Sequence, residues 1–485
     1  MWAFLKQTIF KIGKDANFLS FAGNLSTALA GLFSYMILLR MLTIHDFGIW
    51  ILFTAPTSLI DMLRFGVTRE ALVRYLSGSP ENDKKYYLGS AWVVGLLILA
   101  GITVILWTVA MLIPQALKDS GYSLFFIWYP LLGLVTLPWN YAWSIFQADV
   151  DFGKIFWIRF FNLCSFLVII FVAYLYIKID VAMVVFIYIA TNLATSIFCL
   201  LKKWTGIQFF RRIKKDKVMD ILKYGRYSMA TRIGSSLLKG ADSFIISFSA
   251  FMGPASVALY AIPLKYIEFI EIPLLSFATT AFPKLSKMSM ENNMDGFKRI
   301  YYNYTGPIVY IFLVIALLSL VLNKYFILIL GGVKYLTTSP QITYVLMVFI
   351  LYGMLMPLDR FTGIALDSLN RPDKNFRKVL VMTLSNILGD VFAVFGLHYM
   401  FPSMPPITIL LFVALASIVF SVIGLFLGFY YLKQPPDIPL EPCLAGSDRW
   451  RGREKFREVS PGTESLFPGS FEDDYPHFGV VLGSG

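Results

Sequence analysis

Apolar runs of about twenty residues recur along this chain roughly a dozen times, each broken by a short polar stretch. A helix needs roughly 20 apolar residues to cross the hydrocarbon core of a bilayer. The pattern therefore predicts an all-α polytopic membrane protein with about twelve transmembrane helices. The runs place spans at about 17–40, 46–64, 88–113, 122–147, 156–177 and 180–201. Six more follow at about 227–251, 255–281, 302–323, 341–367, 378–400 and 406–432, with Gly331, Gly332, Pro340 and Pro357 making the region before and within the tenth the least regular. Two longer cytoplasmic connections are expected, near 65–87 and 202–226. The second is expected to hold a short amphipathic helix, Val218 to Tyr224, lying on the membrane surface.

Charge alternates with the same beat. The 202–226 connection carries Lys202, Lys203, Arg211, Arg212, Lys214, Lys215, Lys217, Lys223 and Arg226, whereas its neighbours near Lys178 and around Met252 to Pro254 carry almost none. Short basic loops resist translocation, so every second connection and both termini are expected in the cytoplasm. The chain then divides into an amphipathic cytoplasmic N-terminus (1–16), an N-lobe of six spans (17–201), a basic linker (202–226) and a C-lobe of six spans (227–432). A proline- and charge-rich stretch, 433–485, reads as a disordered cytoplasmic tail.

Composition narrows the function. The chain is 57% apolar and only 15% charged, with a mean hydropathy of +0.67, unlike a soluble globule with about a quarter of its residues charged. The net charge of +12 is explained by topogenic loops and contact with anionic lipid, and no nucleic-acid partner is expected. Cys164, Cys199 and Cys443 have no pairing or metal spacing, and His45, His398 and His477 are scattered, so neither a metal nor a cofactor is expected. Lys6, Lys11 and Lys14 lead into the first span without a small-residue cleavage site, so no cleavable signal peptide is expected.

Sliding the chain on itself by 210 residues lays His45-Asp46-Phe47-Gly48-Ile49-Trp50 over Ala255-Ser256-Val257-Ala258-Leu259-Tyr260, Asp61 over Glu271 and Arg74 over Lys284. Spans one and seven start on the same side, so the two halves read as parallel repeats. Such halves place a substrate cavity between them near the midplane.

Several segments carry a resemblance. Leu39-Arg40-Met41-Leu42-Thr43-Ile44-His45-Asp46-Phe47-Gly48-Ile49-Trp50 resembles the turn entering span two of bacterial polysaccharide flippases. Lys223-Tyr224-Gly225-Arg226-Tyr227-Ser228 resembles their entry to span seven, and Asp242 with Phe244-Ile245-Ile246 resembles the motif that follows it. Val257-Ala258-Leu259-Tyr260 with Phe282-Pro283-Lys284-Leu285-Ser286 resembles their eighth span, with Ala258 where those proteins usually have glycine. The chain, over roughly 1–433, is thus similar to the O-antigen (Wzx-like) polysaccharide flippases of the MATE-like superfamily. The resemblance implies alternating access that moves an undecaprenyl-pyrophosphate-linked oligosaccharide across the bacterial inner membrane, for O-antigen, capsule or exopolysaccharide synthesis. A glycan polymerase and chain-length proteins would be its partners.

Charges within spans cost about 2.5–3.5 kcal/mol each on insertion scales, so each needs a cavity or a partner. Arg232, Lys239 and Asp242 in span seven, with Lys265 and Glu268 in span eight, reach the central bilayer on this reading. The three cations form a candidate ladder for a travelling pyrophosphate. Equally, Lys239–Asp242 and Lys265–Glu268 stand at i, i+3 and can neutralise one another locally. Asn24 and Asp61 are the N-lobe candidates, Asp61 with Arg64 at i+3, while Arg64 and Arg159 near cytoplasmic ends are expected to snorkel toward headgroups. Asp359 in span ten and Asp390 in span eleven, the latter without an evident partner, are candidates for proton or cation binding. Trp139, Asn140, Tyr141 and Trp143 either stack on sugar rings or simply pack helices. A multidrug cation antiporter of the same architecture favours an acidic cavity, against which the three cations argue. A membrane glycan polymerase or ligase needs a large periplasmic loop, and every such connection here is short, so an enzyme is not expected.

Overall fold

The structure, a computed structural model, describes residues 16–149, 151–176, 179–249 and 251–434, with the side chains of 16–28, 70, 226–240, 276 and 279 left aside. The predicted N-terminal segment before Ala16 and the tail beyond Gln434 lie outside the described residues. Twelve long helices follow one another: α1 (Ala16–Met41), α2 (Ile44–Gly78), α3 (Glu81–Leu112), α4 (Ser123–Ala148), α5 (Phe152–Tyr176) and α6 (Val181–Leu201), then α7 (Lys215–Ser247), α8 (Gly253–Met290), α9 (Met294–Val321), α10 (Ile342–Ser368), α11 (Pro372–Val391) and α12 (Pro406–Lys433). A π turn, Phe392–Gly396, carries α11 on to Met400. Short helices fill the connections after α3 and α9, among them Asn323–Gly331 and Val333–Thr338. No strand occurs among the described residues. The protein is an all-α, polytopic membrane protein built from two sets of six helices.

The packing repeats from half to half. In the first, α2 packs on α4 and α4 on α6, while α1 packs on α5; in the second, α8, α10 and α12 form the corresponding row and α7 meets α11. Leu97, Val104, Ile105 and Met111 of α3 are exposed, as a lipid-facing surface requires. Nine of the twelve helices are long and apolar enough to cross a membrane, counted over the described residues. The others include α7 and α8, whose charges interrupt their apolar runs, and both pack against α2 of the first half.

One expected loop, and the second half of another, are helix instead. Val67, Ala71, Leu72 and Leu76 keep a buried stripe going past the apolar run of α2, so the predicted 65–87 connection shrinks to Ser79 and Pro80. Val218, Ile221 and Tyr224 do not lie on lipid as a separate surface helix. They form the first turns of α7 and pack with Val67, Leu72 and Tyr87 of α2 and α3. Tyr75 and Tyr87 stack at 4.5 Å and donate to Asp220 O and Oδ2, and Lys217 Nζ sits 2.9 Å from Asp83 Oδ2. These bonds anchor the stretch that the sequence assigns to a linker.

At the ends of the helices away from the basic connections, the halves meet closely. Thr43 caps α2, its Oγ1 accepting from Asp46 N at 3.0 Å, and this brings Gly48 against Pro254 at the start of α8. A Cβ on Gly48 would stand 1.8 Å from the Pro254 carbonyl oxygen. Tyr122 and Ser247 join by their hydroxyls. Arg40 donates to Ile329 O at 2.8 Å, and Lys334, in the α9–α10 connection, donates to Leu42 O. Each half thus sends one cation onto a main-chain carbonyl of the other.

Candidate functional site

The repeated helix order brings α7 beside α11, and with them two carboxylates 148 positions apart. Asp390 is fully buried and Asp242 is 8% exposed. Asn386, one turn before Asp390, donates its Nδ2 to Asp242 Oδ1 at 2.8 Å and to Asp390 Oδ2 at 3.2 Å. Tyr260 of α8 donates its hydroxyl to Asp242 Oδ2. Among the described residues, Asp390 Oδ1 and Asn386 Oδ1 have no hydrogen-bond partner. Two buried carboxylates bridged by one amide repel when both are ionised, and burying them uncompensated is costly. A proton shared between them, or a hard cation among these oxygens, relieves both problems. The π turn begins two residues after Asp390, at Phe392, a feature often found where a helix serves a site.

The other sequence candidates fall elsewhere. Asp390 has partners, contrary to the expectation, because Asn386 and Asp242 are brought to it from its own helix and from α7. Asp359 is not part of that cluster. Lys378 of α11, 2% exposed, lies 2.7 Å from Asp359 Oδ1 and also donates to Thr362 Oγ1. Asp359, Arg360, Asp367, Asn375 and Lys378 line a pocket of about 440 Å³. Lys265 is paired locally, its Nζ 2.6 Å from Glu268 Oε2 and 4.7 Å from the ring centroid of Tyr35 on α1, so this pair sits where the two halves meet. The side chains of Asn24, Arg232 and Lys239 lie outside the described residues.

The first half has its own polar core. Arg64 does not snorkel: it is 0% exposed, held by Asp61 Oδ1 at 2.9 Å, Thr136 Oγ1 at 2.8 Å and the carbonyl of Gly133. Acceptors from α4 at its guanidinium replace the headgroups it was expected to reach. Losing one partner of such a buried pair typically costs about 3–5 kcal/mol. Tyr129 donates a further bond to Asp61 Oδ1 at 2.8 Å. Arg159 also stays at the protein, its guanidinium carbon 3.8 Å from the ring centroid of Trp143, with Arg69 at 3.9 Å from the same indole. Asn386, Lys378, Tyr129 and Arg69 escaped the sequence reading, and Tyr260 entered it only within the repeat and the resemblance, with no role. An Asn-x-x-x-Asp spacing on one helix face was the available signal for Asn386.

Comparison with solved structures finds the same architecture at low identity. The chain is similar to an inward-facing multidrug resistance MATE family transporter of the MOP superfamily, with a TM-score of 0.65 and 12% identity over 84% of this chain and 94% of that one. It is similar to the lipid II flippase MurJ in an inward closed conformation, with a TM-score of 0.63 and 16% identity over 91% of this chain and 94% of that one. A MOP superfamily transporter from Pyrococcus furiosus gives a TM-score of 0.51 at 14% identity, covering 86% and 95%. No curated relative matches the sequence. The family described as "Polysaccharide biosynthesis protein" matches residues 14–289, from the start of the first half to the end of α8. That match takes in more than half of the chain, and the protein belongs to the polysaccharide biosynthesis family of membrane proteins.

Proposed function

We propose that this chain is a flippase for an undecaprenyl-pyrophosphate-linked oligosaccharide in the bacterial inner membrane, working by alternating access with both termini in the cytoplasm. Membership of the polysaccharide biosynthesis family carries the reading, and the two-lobed fold supplies a frame for alternating access. In this reading Asp242, Asn386 and Asp390 take the proton or cation that couples transport, and Lys265 with Glu268 meets the pyrophosphate as its pair opens. Asn24, Asp61, Arg232 and Lys239 complete the proposed path, and Asp359 is a secondary coupling candidate. A multidrug cation antiporter is the second reading, favoured by the buried acidic pair. Expression in cells lacking their own flippase separates them: restored surface glycan supports the first, and restored drug resistance without glycan supports the second.

The topology is tested by impermeant thiol labelling in a cysteine-free background. Cysteines at Lys118 and Lys334 should label from outside intact cells and one at Lys214 should not; outside labelling of position 214 inverts the assignment. The Lys265–Glu268 pair calls for a double-mutant comparison. Lys265→Ala should lower export about tenfold or more, and Lys265→Ala with Glu268→Ala should stay low. Recovery in the double variant would make the pair purely structural.

A further inference from the structure

Between α2, α4 and α6 lies a pocket of about 230 Å³, separate from the acidic cluster and from the Lys265–Glu268 pair. Trp139, Asn140, Asn192, Asp61, Thr136 and Arg69 are among its walls. Its volume falls below the usual 300–1,000 Å³ or so of pockets for drug-sized ligands, so it suits one small unit.

The lining is amphipathic in a particular way. Trp139 stacks beside Trp143 at 6.1 Å between ring centroids and still reaches the pocket wall, and its indole N–H is buried without a hydrogen-bond partner among the described residues. Asp61 accepts both Arg64 and Tyr129 on Oδ1, which leaves Oδ2 for a ligand. Asn140 and Asn192 each commit one N–H to a carbonyl in their own helix, at 2.9 and 2.8 Å to Thr136 O and Tyr188 O. Asn192 Oδ1 also accepts from Asn162 Nδ2 at 3.3 Å, and each amide keeps a second N–H beyond these bonds. The four aromatic-run residues are thereby sorted. Tyr141 is spent on Ala91 O and on packing against Trp92, and Trp143 lies against Arg69 and Arg159. Trp139 and Asn140 are the two that face ligand space.

A drug-like apolar cation would leave the amides unpaired, at a cost, and a bare ion has no use for an indole. A pyranose ring matches both parts: C–H bonds across one face for the indole, hydroxyls around the rim for amides and carboxylate. We infer that this pocket binds a single sugar ring, with Trp139 as the platform and Asn140, Asn192 and Asp61 Oδ2 as the hydroxyl contacts. The assignment of that ring to the head of the travelled glycan rests on the flippase reading; sugar binding itself does not.

The test uses the full chain in lipid nanodiscs and saturation-transfer NMR with free glucose, galactose, N-acetylglucosamine and glucuronate. At least one sugar should bind saturably. Trp139→Ala should weaken it about tenfold, the scale of losing an aromatic anchor, while Trp139→Phe should stay within about threefold because a flat ring remains. Asn140→Ala gives a second line if Trp139→Ala folds poorly, and Trp107→Ala, on the exposed face of α3, should change nothing. No sugar bound by the wild type, or equal binding to wild type and Trp139→Ala, overturns the inference. Trp139-dependent binding in a chain that fails to restore surface glycan keeps the pocket and removes the flippase reading. Restored glycan without such binding does the reverse.

Discussion

Asp390→Asn should stop export, by about tenfold or more, while leaving the protein inserted and at least as stable as the wild type. The substitution keeps the size of the side chain and removes one of two buried carboxylates that share a single amide donor. Relief of repulsion and desolvation favours the folded state by about 1 kcal/mol or more. Function suffers because an amide at 390 neither takes up a proton nor supplies a charged oxygen to a cation. Asp242→Asn should behave in the same way. Lipid-linked glycan accumulation and a melting curve, measured on one preparation across pH and sodium concentration, give the two readouts. Wild-type export with unchanged pH and ion dependence in Asp390→Asn would remove the coupling role, whatever its stability.

Gly48→Leu should force the two halves apart at the end opposite the basic connections. Even the first added carbon would lie 1.8 Å from the Pro254 carbonyl oxygen and 2.4 Å from its carbon. Main chain cannot swing aside as a flexible side chain can, so either the halves separate or the helix start distorts. Overpacking of this kind costs about 1–3 kcal/mol, occasionally more. A cysteine at Met252, 5% exposed beside this contact, reports the separation through faster labelling by an impermeant reagent. Gly31→Leu is the control, since a Cβ there meets nothing within 4 Å. Equal labelling of Met252→Cys in both backgrounds would mean that this contact does not hold the halves together.

The spans were legible because a bilayer demands long apolar runs, and each of the twelve helices matches its predicted run to within about four residues at the ends that fall short. Their ends were less so. Past Phe65 the exposed side of α2 carries polar groups such as Arg74 and Ser77, which mask the buried stripe from Val67 to Leu76. The acidic cluster was half legible: Asp242 and Asp390 were each conspicuous as charges in apolar runs, but nothing local joins them. Only the mirrored packing of α1 on α5 and α7 on α11 joins them. Arg64 was misread because its acceptors, Gly133 and Thr136, come from another helix about seventy positions on. Lys378 was within reach of simple reasoning. It stands eight positions after the tight turn at Asn370 and Asp359 eleven before it, so an antiparallel hairpin sets them within about one helical turn of each other, in reach of a long lysine side chain.

The reciprocal bonds from Arg40 and Lys334 use peptide oxygens of Ile329 and Leu42 as acceptors. Carbonyls do not titrate, and exchanging the side chain at 42 or 329 leaves them in place. What these two bonds add to the closure is therefore set by their donors, and they answer differently to alkali. Arginine keeps its charge throughout, whereas burial pushes the Lys334 ammonium below the ordinary lysine range. Rising pH should therefore discharge one strand of the seal and spare the other, and Lys334→Arg should abolish that asymmetry without weakening closure at neutral pH.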